Sequence, residues 1–166
     1  PTILQMGGVV YIKHSHSFRI INNTFENNSG RKGGIIYMKN HIILSIRSTE
    51  FIENYANRSG GILCGIQVQK INIQNSVFCS NHAVKGGILH LSTVSNLVIS
   101  NSKITISKAT AQGSVIYGID IYILKLMNLN LTNNKAKQFG GVMFLRKIAE
   151  LEVSSCIFYK NQGQRG

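Results

Sequence analysis

Apolar residues return along this chain at fixed places in a unit of 26 or 27 residues. Counting each unit from the first glycine of a Gly-Gly pair, positions 3 and 4 read Val9-Val10, Ile35-Ile36, Ile62-Leu63, Ile88-Leu89, Val115-Ile116 and Val142-Met143. Position 14 holds Ile20, Ile46, Ile73, Ile99, Leu126 and Val153, and position 12 holds Phe18, Leu44, Ile71, Leu97, Leu124 and Leu151. Alternation at a spacing of two is the strand signature, so these two positions share an inward face. A third apolar column at position 19 reads Phe25, Phe51, Phe78, Ile104, Leu131 and Phe158. Three residues on comes a polar column, Asn28, Asn54, Asn81, Ser107, Asn134 and Asn161, and then a small one, Gly30, Ala56, Ala83, Ala109, Ala136 and Gly163.

The units open at Gly7-Gly8, Gly33-Gly34, Gly60-Gly61, Gly86-Gly87, Gly113-Ser114 and Gly140-Gly141, with Gly166 placed where another would begin. A repeat of this length means a solenoid. The β-branched runs and the absence of a helical period predict two or three short strands per unit, each stacked on its counterpart one turn later. The predicted fold is therefore all-β: a single-stranded parallel β-helix of about six rungs, rising about 4.8 Å per turn. The length differences fall after position 19, so insertions belong in the turn before the next glycine pair. Asparagines repeated at one place in successive rungs predict a side-chain ladder at position 22, and a second inward one at position 16 through Asn22, Ser48, Asn75, Asn101, Asn128 and Ser155.

The pairing of Gly-Gly-apolar-apolar with Phe-x-x-Asn resembles the repeats of the chlamydial polymorphic outer membrane proteins. Gly7 to Val10 with Phe25 to Asn28, Gly33 to Ile36 with Phe51 to Asn54, Gly60 to Leu63 with Phe78 to Asn81, and Gly140 to Met143 with Phe158 to Asn161 carry the likeness. Two units depart from it, one at Ile104 and Ser107, the other at Ser114 and Leu131. The resemblance implies a right-handed, pectin-lyase-like β-helix exposed at a cell surface, serving adhesion or scaffolding. It brings no catalytic residues.

Nothing divides residues 1–166, which read as one β-helix segment of a longer β-helical protein, with flanking rungs as its nearest partners. The three cysteines permit at most one bridge, Cys64 to Cys79, and free thiols fit better. Asn-x-Ser/Thr triplets at Asn57, Asn130 and Asn27 are candidate glycosylation sites; a fourth, at Asn22, falls on the expected inward ladder. No segment reads as a membrane span, and the expected setting is extracellular or at the cell surface.

Charge adds the one functional hint. Eighteen Lys and Arg against six acidic residues give a net +12. Lys32, Arg58, Lys85 and Arg165 fall just before glycine pairs, with Arg31 and Lys137 one place earlier, and stacking would make them a row for an anionic glycan or an acidic protein surface. Lys13, Lys39 and Arg146 at position 7 add to the adjoining corner. Nucleic acid is disfavoured, since no aromatic stacking platform interleaves the cations. Position 5 supplies an aromatic column, Tyr11, Tyr37, His90, Tyr117 and Phe144, interrupted by Cys64. Facing outward it would offer a sugar platform, and its apolar neighbours suggest that another layer, such as a second chain, covers it.

Catalysis finds no foothold. The acids Glu26, Glu50, Glu53, Asp120, Glu150 and Glu152 form no convincing pair with a converging histidine or arginine. His14 and His16 lack a third metal ligand, and no cofactor is expected. The sequence thus reads as a non-catalytic structural or adhesive scaffold. The alternatives are a carbohydrate-binding or polysaccharide-processing β-helix with its active site elsewhere, and an intracellular architectural protein docking a basic edge on an acidic partner.

Overall fold

The structure, a computed structural model, describes residues 6–165 and contains strands, turns and no helix among them. Gly166, expected to open a further unit, lies outside the described residues. Every strand pairing is parallel and joins a residue to its counterpart one unit later: Val10 to Ile36, Ile36 to Leu63, Leu63 to Leu89, Leu89 to Ile116 and Ile116 to Met143. The chain is a parallel β-solenoid of about six turns.

Each turn has more strand than the pattern suggested. In the first two rungs the segments are separate, as in Ile36–Lys39, Ile43–Arg47, Glu50–Ile52 and Tyr55–Ser59. Further on they fuse into Leu63–Gln74, Leu89–Thr105, Ile116–Thr132 and Met143–Ser154, bent rather than broken at the corners. Four corners per rung are marked by residues in the left-handed region, one at each corner except where His41 (φ 53°) joins Asn40. These are position 1 (Gly33, φ 70°), position 8 (Asn40, 71°), position 16 (Ser48, 49°) and position 21 (Glu53, 53°), and equivalent residues repeat the conformation in every rung. Asparagine and aspartate tolerate this region; Thr93 at φ 57° and Ile106 at φ 58° are β-branched and strained there.

The second glycine of each pair answers a different need. A Cβ at Gly61 would overlap the carbonyl oxygen of Gly87 on the next rung and lie 2.7 Å from that of His82, so two backbones approach too closely for a side chain. Ser114 fills this place in one rung, and its hydroxyl donates to the carbonyl of Gly141.

The interior is a stack of like on like. Ile46, Ile73 and Ile99 are buried in register, and Phe25, Phe51 and Phe78 stack with ring centroids 5.4 and 5.0 Å apart. The position-22 ladder is buried as expected: Asn28 Nδ2 donates to Asn54 Oδ1 and Asn54 Nδ2 to Asn81 Oδ1, each at 3.0 Å. The same amides also donate to carbonyls of the rung before, Asn54 to Phe25 O and Asn81 to Phe51 O, both at 2.9 Å. This satisfies the backbone of a buried bend. At Ser107 the side-chain ladder breaks, leaving a buried hydroxyl without a partner.

The second expected ladder is not inward. Asn22, Ser48, Asn75, Asn101, Asn128 and Ser155 are exposed corner residues with positive φ, and Asn128 Nδ2 to Asn101 Oδ1 at 2.7 Å is the side-chain link found along the column. The inward neighbours are one residue later, at Thr49, Ser76, Ser102 and Leu129, all nearly inaccessible. Asparagine suits both ladders and left-handed corners, which is why composition alone misplaced this column.

Candidate functional site: a basic sheet face

One side of the solenoid is a separate five-stranded parallel sheet made by Ser29–Lys32, Tyr55–Ser59, His82–Lys85, Lys108–Gln112 and Lys135–Ala136. Its inward column is the small one, Gly30, Ala56, Ala83, Ala109 and Ala136, all buried. A Cβ on Gly30 would sit 2.5 Å from Gly33 O and 3.0 Å from Gly8 N, so the glycine corner packs directly beneath this sheet and leaves no room for large side chains. The long side chains of these strands are consequently directed outward.

What they present is positive charge. The strands contain Arg31, Lys32, Arg58, Lys85, Lys108 and Lys135, with Lys137 immediately after, and no aspartate or glutamate. Lys108 pairs with Lys135 in register, about 4.8 Å apart at the backbone. Among the described residues the ion pairs join Lys125 to Glu150 (3.3 Å) and Glu152 (2.8 Å), on a different side of the coil, so carboxylates neutralise none of the sheet's cations. His82 stands in the same column, pairing with Tyr55 on one side and Lys108 on the other. Burial, and then the charges of Lys108 and Lys137, hold its imidazole below the usual range. The Tyr55 ring meets it edge-on, centroids 5.5 Å apart and planes at 88°.

The cations are arranged as a face rather than as the expected row. Counting from the preceding glycine aligns Arg58 with Lys32 and Lys85, but the strands align Ser59 with both, and Lys85 with Gln112. The register shift lies between Ala83 and Lys85, so the extra residue of each longer rung bulges out before the corner. Arg58 sits exposed in such a bulge, while Ser59 is buried. At the far end Arg165 bridges to Phe139, its guanidinium carbon 5.9 Å from the ring centre. Lys108 and Lys135, absent from the expected row, belong to the face, side by side on its last two strands. Their column also holds Ser29, Tyr55, His82 and Gln162, and such mixed chemistry hides a charged surface from inspection by position.

The aromatic column borders this face at the glycine corner. Tyr11 stacks on Tyr37 at 5.3 Å, His90 on Tyr117 at 4.8 Å, and Tyr117 on Phe144 at 5.1 Å, planes within 10° of parallel. Within each stack ring faces close on one another, an arrangement unlike an open sugar platform. Burial along the column is uneven, with Tyr11 exposed at its end. Tyr37 and Tyr117 are buried by their neighbours in the stack and by side chains from the preceding corner, with Lys85 Nζ 5.1 Å from the Tyr117 ring centre. Where Cys64 interrupts the column, its Sγ lies 3.9 Å from His90 Nδ1. Burial pushes the thiol up to about 11; burial and Lys85 push the imidazole down to about 4. Both are neutral at physiological pH, the reverse of a thiolate–imidazolium pair.

No family model, curated protein or solved structure matches the chain.

The remaining candidates disperse. Cys64, Cys79 and Cys156 are all free thiols. Among the described residues no three of His, Cys, Asp and Glu gather as a metal site, and no helix is long and apolar enough to cross a membrane. Glu26, Glu50 and Glu53 are exposed on neighbouring rungs, whereas Asp120 accepts from Thr93 Oγ1 at 3.2 Å. His14, His16 and His41 border a shallow groove of about 480 Å³ with Asn40. Lys13 pairs with Lys39, but Ile66 follows them in register, so that corner does not extend the charge. Of the glycosylation candidates, Asn57 and Asn27 are exposed, while Asn130 lies within a long strand with its Oδ1 buried and unpartnered. Asn22, expected to be sheltered, is exposed.

Proposed function

We propose that the chain is a structural or adhesive scaffold: a β-solenoid segment of a large cell-surface or extracellular protein, of the kind that its Gly-Gly-apolar-apolar and Phe-x-x-Asn repeats resemble. One observation carries this reading. The residue types that most often do chemistry are used here for stacking: asparagines for the ladder, aromatics for two columns of closed rings, and Cys64 with His90 as neutral members of one of them. Such a coil is a rigid spacer, and its outer faces are free to vary without disturbing the core. The exposed Asn57 side chain in its bulged turn suits a glycoprotein.

The test is location. Antibodies raised against the chain should label intact, non-permeabilised cells of the source organism, and peptide mass analysis of the native protein should find glycan on Asn57. Labelling that appears only after permeabilisation, with Asn57 unmodified, overturns the surface assignment and favours the intracellular architectural role.

A further inference from the structure

We propose that the outer face of the five-stranded sheet binds a linear anionic polysaccharide, laid along the coil axis across successive rungs. This names the ligand of the adhesive scaffold above and rests on that reading for its extracellular setting. Charge is the first support. From each Asn-ladder residue to the next glycine corner no carboxylate occurs, while Arg58, Lys108, Lys135 and Lys137 stand exposed there. Several like charges on one low-dielectric wall produce a summed field that draws counterions, and a polyanion gains by releasing them.

Periodicity is the second support. Parallel in-register pairing carries Tyr55, His82, Lys108 and Lys135 up one straight column at about 4.8 Å per rung. A linear polymer meets successive rungs of such a column without bending.

The third support is what lies between the cations. Ser29, Asn57, Thr110, Gln162 and Gln164 supply hydroxyls and amides, and the large apolar groups exposed there, Tyr55, Val84 and Phe139 at 44%, 36% and 36%, stand apart on different rungs, with Phe139 at the far corner beside the Arg165 guanidinium. A protein partner would need a desolvated apolar centre with aromatic anchors, which this face lacks. A single-stranded nucleic acid would need open ring faces for its bases. The rings of the bordering column are closed on each other, and Tyr55 is committed edge-on to His82. A hydroxyl-rich polyanion needs neither feature.

The experiment titrates the 166-residue chain with heparin fragments, polygalacturonate, neutral dextran and oligothymidylate, following binding by calorimetry. Binding to heparin or polygalacturonate but not dextran is expected, weakening at least about tenfold between roughly 50 and 200 mM salt. Lys108→Glu/Lys135→Glu/Lys137→Glu should weaken it by a further tenfold or more, on the order expected for three lost cationic contacts. Arg19→Glu/Arg47→Glu/Lys70→Glu makes the same change in net charge on a different side of the coil and should change affinity less than about threefold. Circular dichroism and melting check both variants, and the glutamine triple replaces the glutamate triple if the latter does not fold. No polysaccharide binding at low salt, equal loss in both triples, or tighter binding to oligothymidylate would each overturn the proposal. A folded, surface-located chain that binds none of these polymers removes the ligand and leaves the scaffold standing; a chain that binds polysaccharide but is found only inside cells does the opposite.

Discussion

The third rung, residues 60–85, and the fourth, residues 86–112, lie against each other along most of their length and differ in how well they obey the repeat. The third has Gly60-Gly61, Phe78 and Asn81, with Ser80 at the left-handed corner. The fourth keeps its glycines but has Ile104 for the phenylalanine, Ser107 for the asparagine and Ile106 at that corner, and it carries His90 where the third has Cys64. The backbones still run in register from Leu63 with Leu89 to Cys79 with Thr105. Glycine geometry and continuous apolar columns therefore suffice to hold the coil. The Phe and Asn columns add stability locally: where the Asn column lapses Ser107 keeps an orphan hydroxyl, and the corner just before it is taken by a strained isoleucine.

That difference can be broken most severely at the glycine the two rungs share. Gly61→Ala sets a Cβ against the Gly87 carbonyl, so backbone must shift to admit it, and a loss of about 3 kcal/mol or more, or failure to fold, is expected in denaturant melts. Ser114→Gly at the same place in a rung that tolerates a side chain should cost about 1 kcal/mol or less.

The next effect is the pH dependence that His90 gives the fourth rung. His90 titrates near 4 in the fold and near 6.5 unfolded, so the unfolded chain binds the extra proton between those values. Stability from this group is full above pH 6.5 and is lost as pH falls towards 4, by about 2 kcal/mol at pH 5. His90→Phe keeps the ring stack on Tyr117 and should flatten this part of the profile, measured as melting free energy from pH 7 to pH 5. An unchanged slope would show that His90 takes up its proton as readily in the fold as in the unfolded chain.

Smaller effects should repair the fourth rung towards the third. Ile106→Asn relieves a β-branched residue at φ 58° on an exposed corner and should gain about 1 kcal/mol. Ser107→Asn restores an amide where the ladder lapses, reaching towards Asn134 Oδ1 and Asn81, and should gain about 0.5–1 kcal/mol. A loss in either would mean that the rung has settled around its own irregularities.

Legibility followed the physics of stacking. Columns set by a single demand were plain in the sequence: glycine at a close backbone approach, phenylalanine on phenylalanine, asparagine on asparagine. Corners at positions 8 and 21 were not, because residues such as His14, Gln67, Asp120 and Lys147 share a backbone conformation and no side-chain chemistry, and the polar column at position 16 reads as an inward ladder until its positive φ shows a corner. The basic face was half visible. Counting from the preceding glycine set Arg58 in a row that strand pairing gives to Ser59, and Lys108 and Lys135 were hidden in a column shared with Tyr55 and His82.

Register is the claim on which both the coil and its charged face depend, and a cysteine pair reads it directly. Lys108→Cys with Lys135→Cys puts two thiols on residues paired across one rung, within the Cα separation of about 4.4–6.8 Å that a disulfide spans. Mild oxidation and peptide mass mapping should find them bridged, while Lys108→Cys with Lys137→Cys, two residues out of register, stays open. A bridge in the second pair and none in the first would contradict the stacked coil described here.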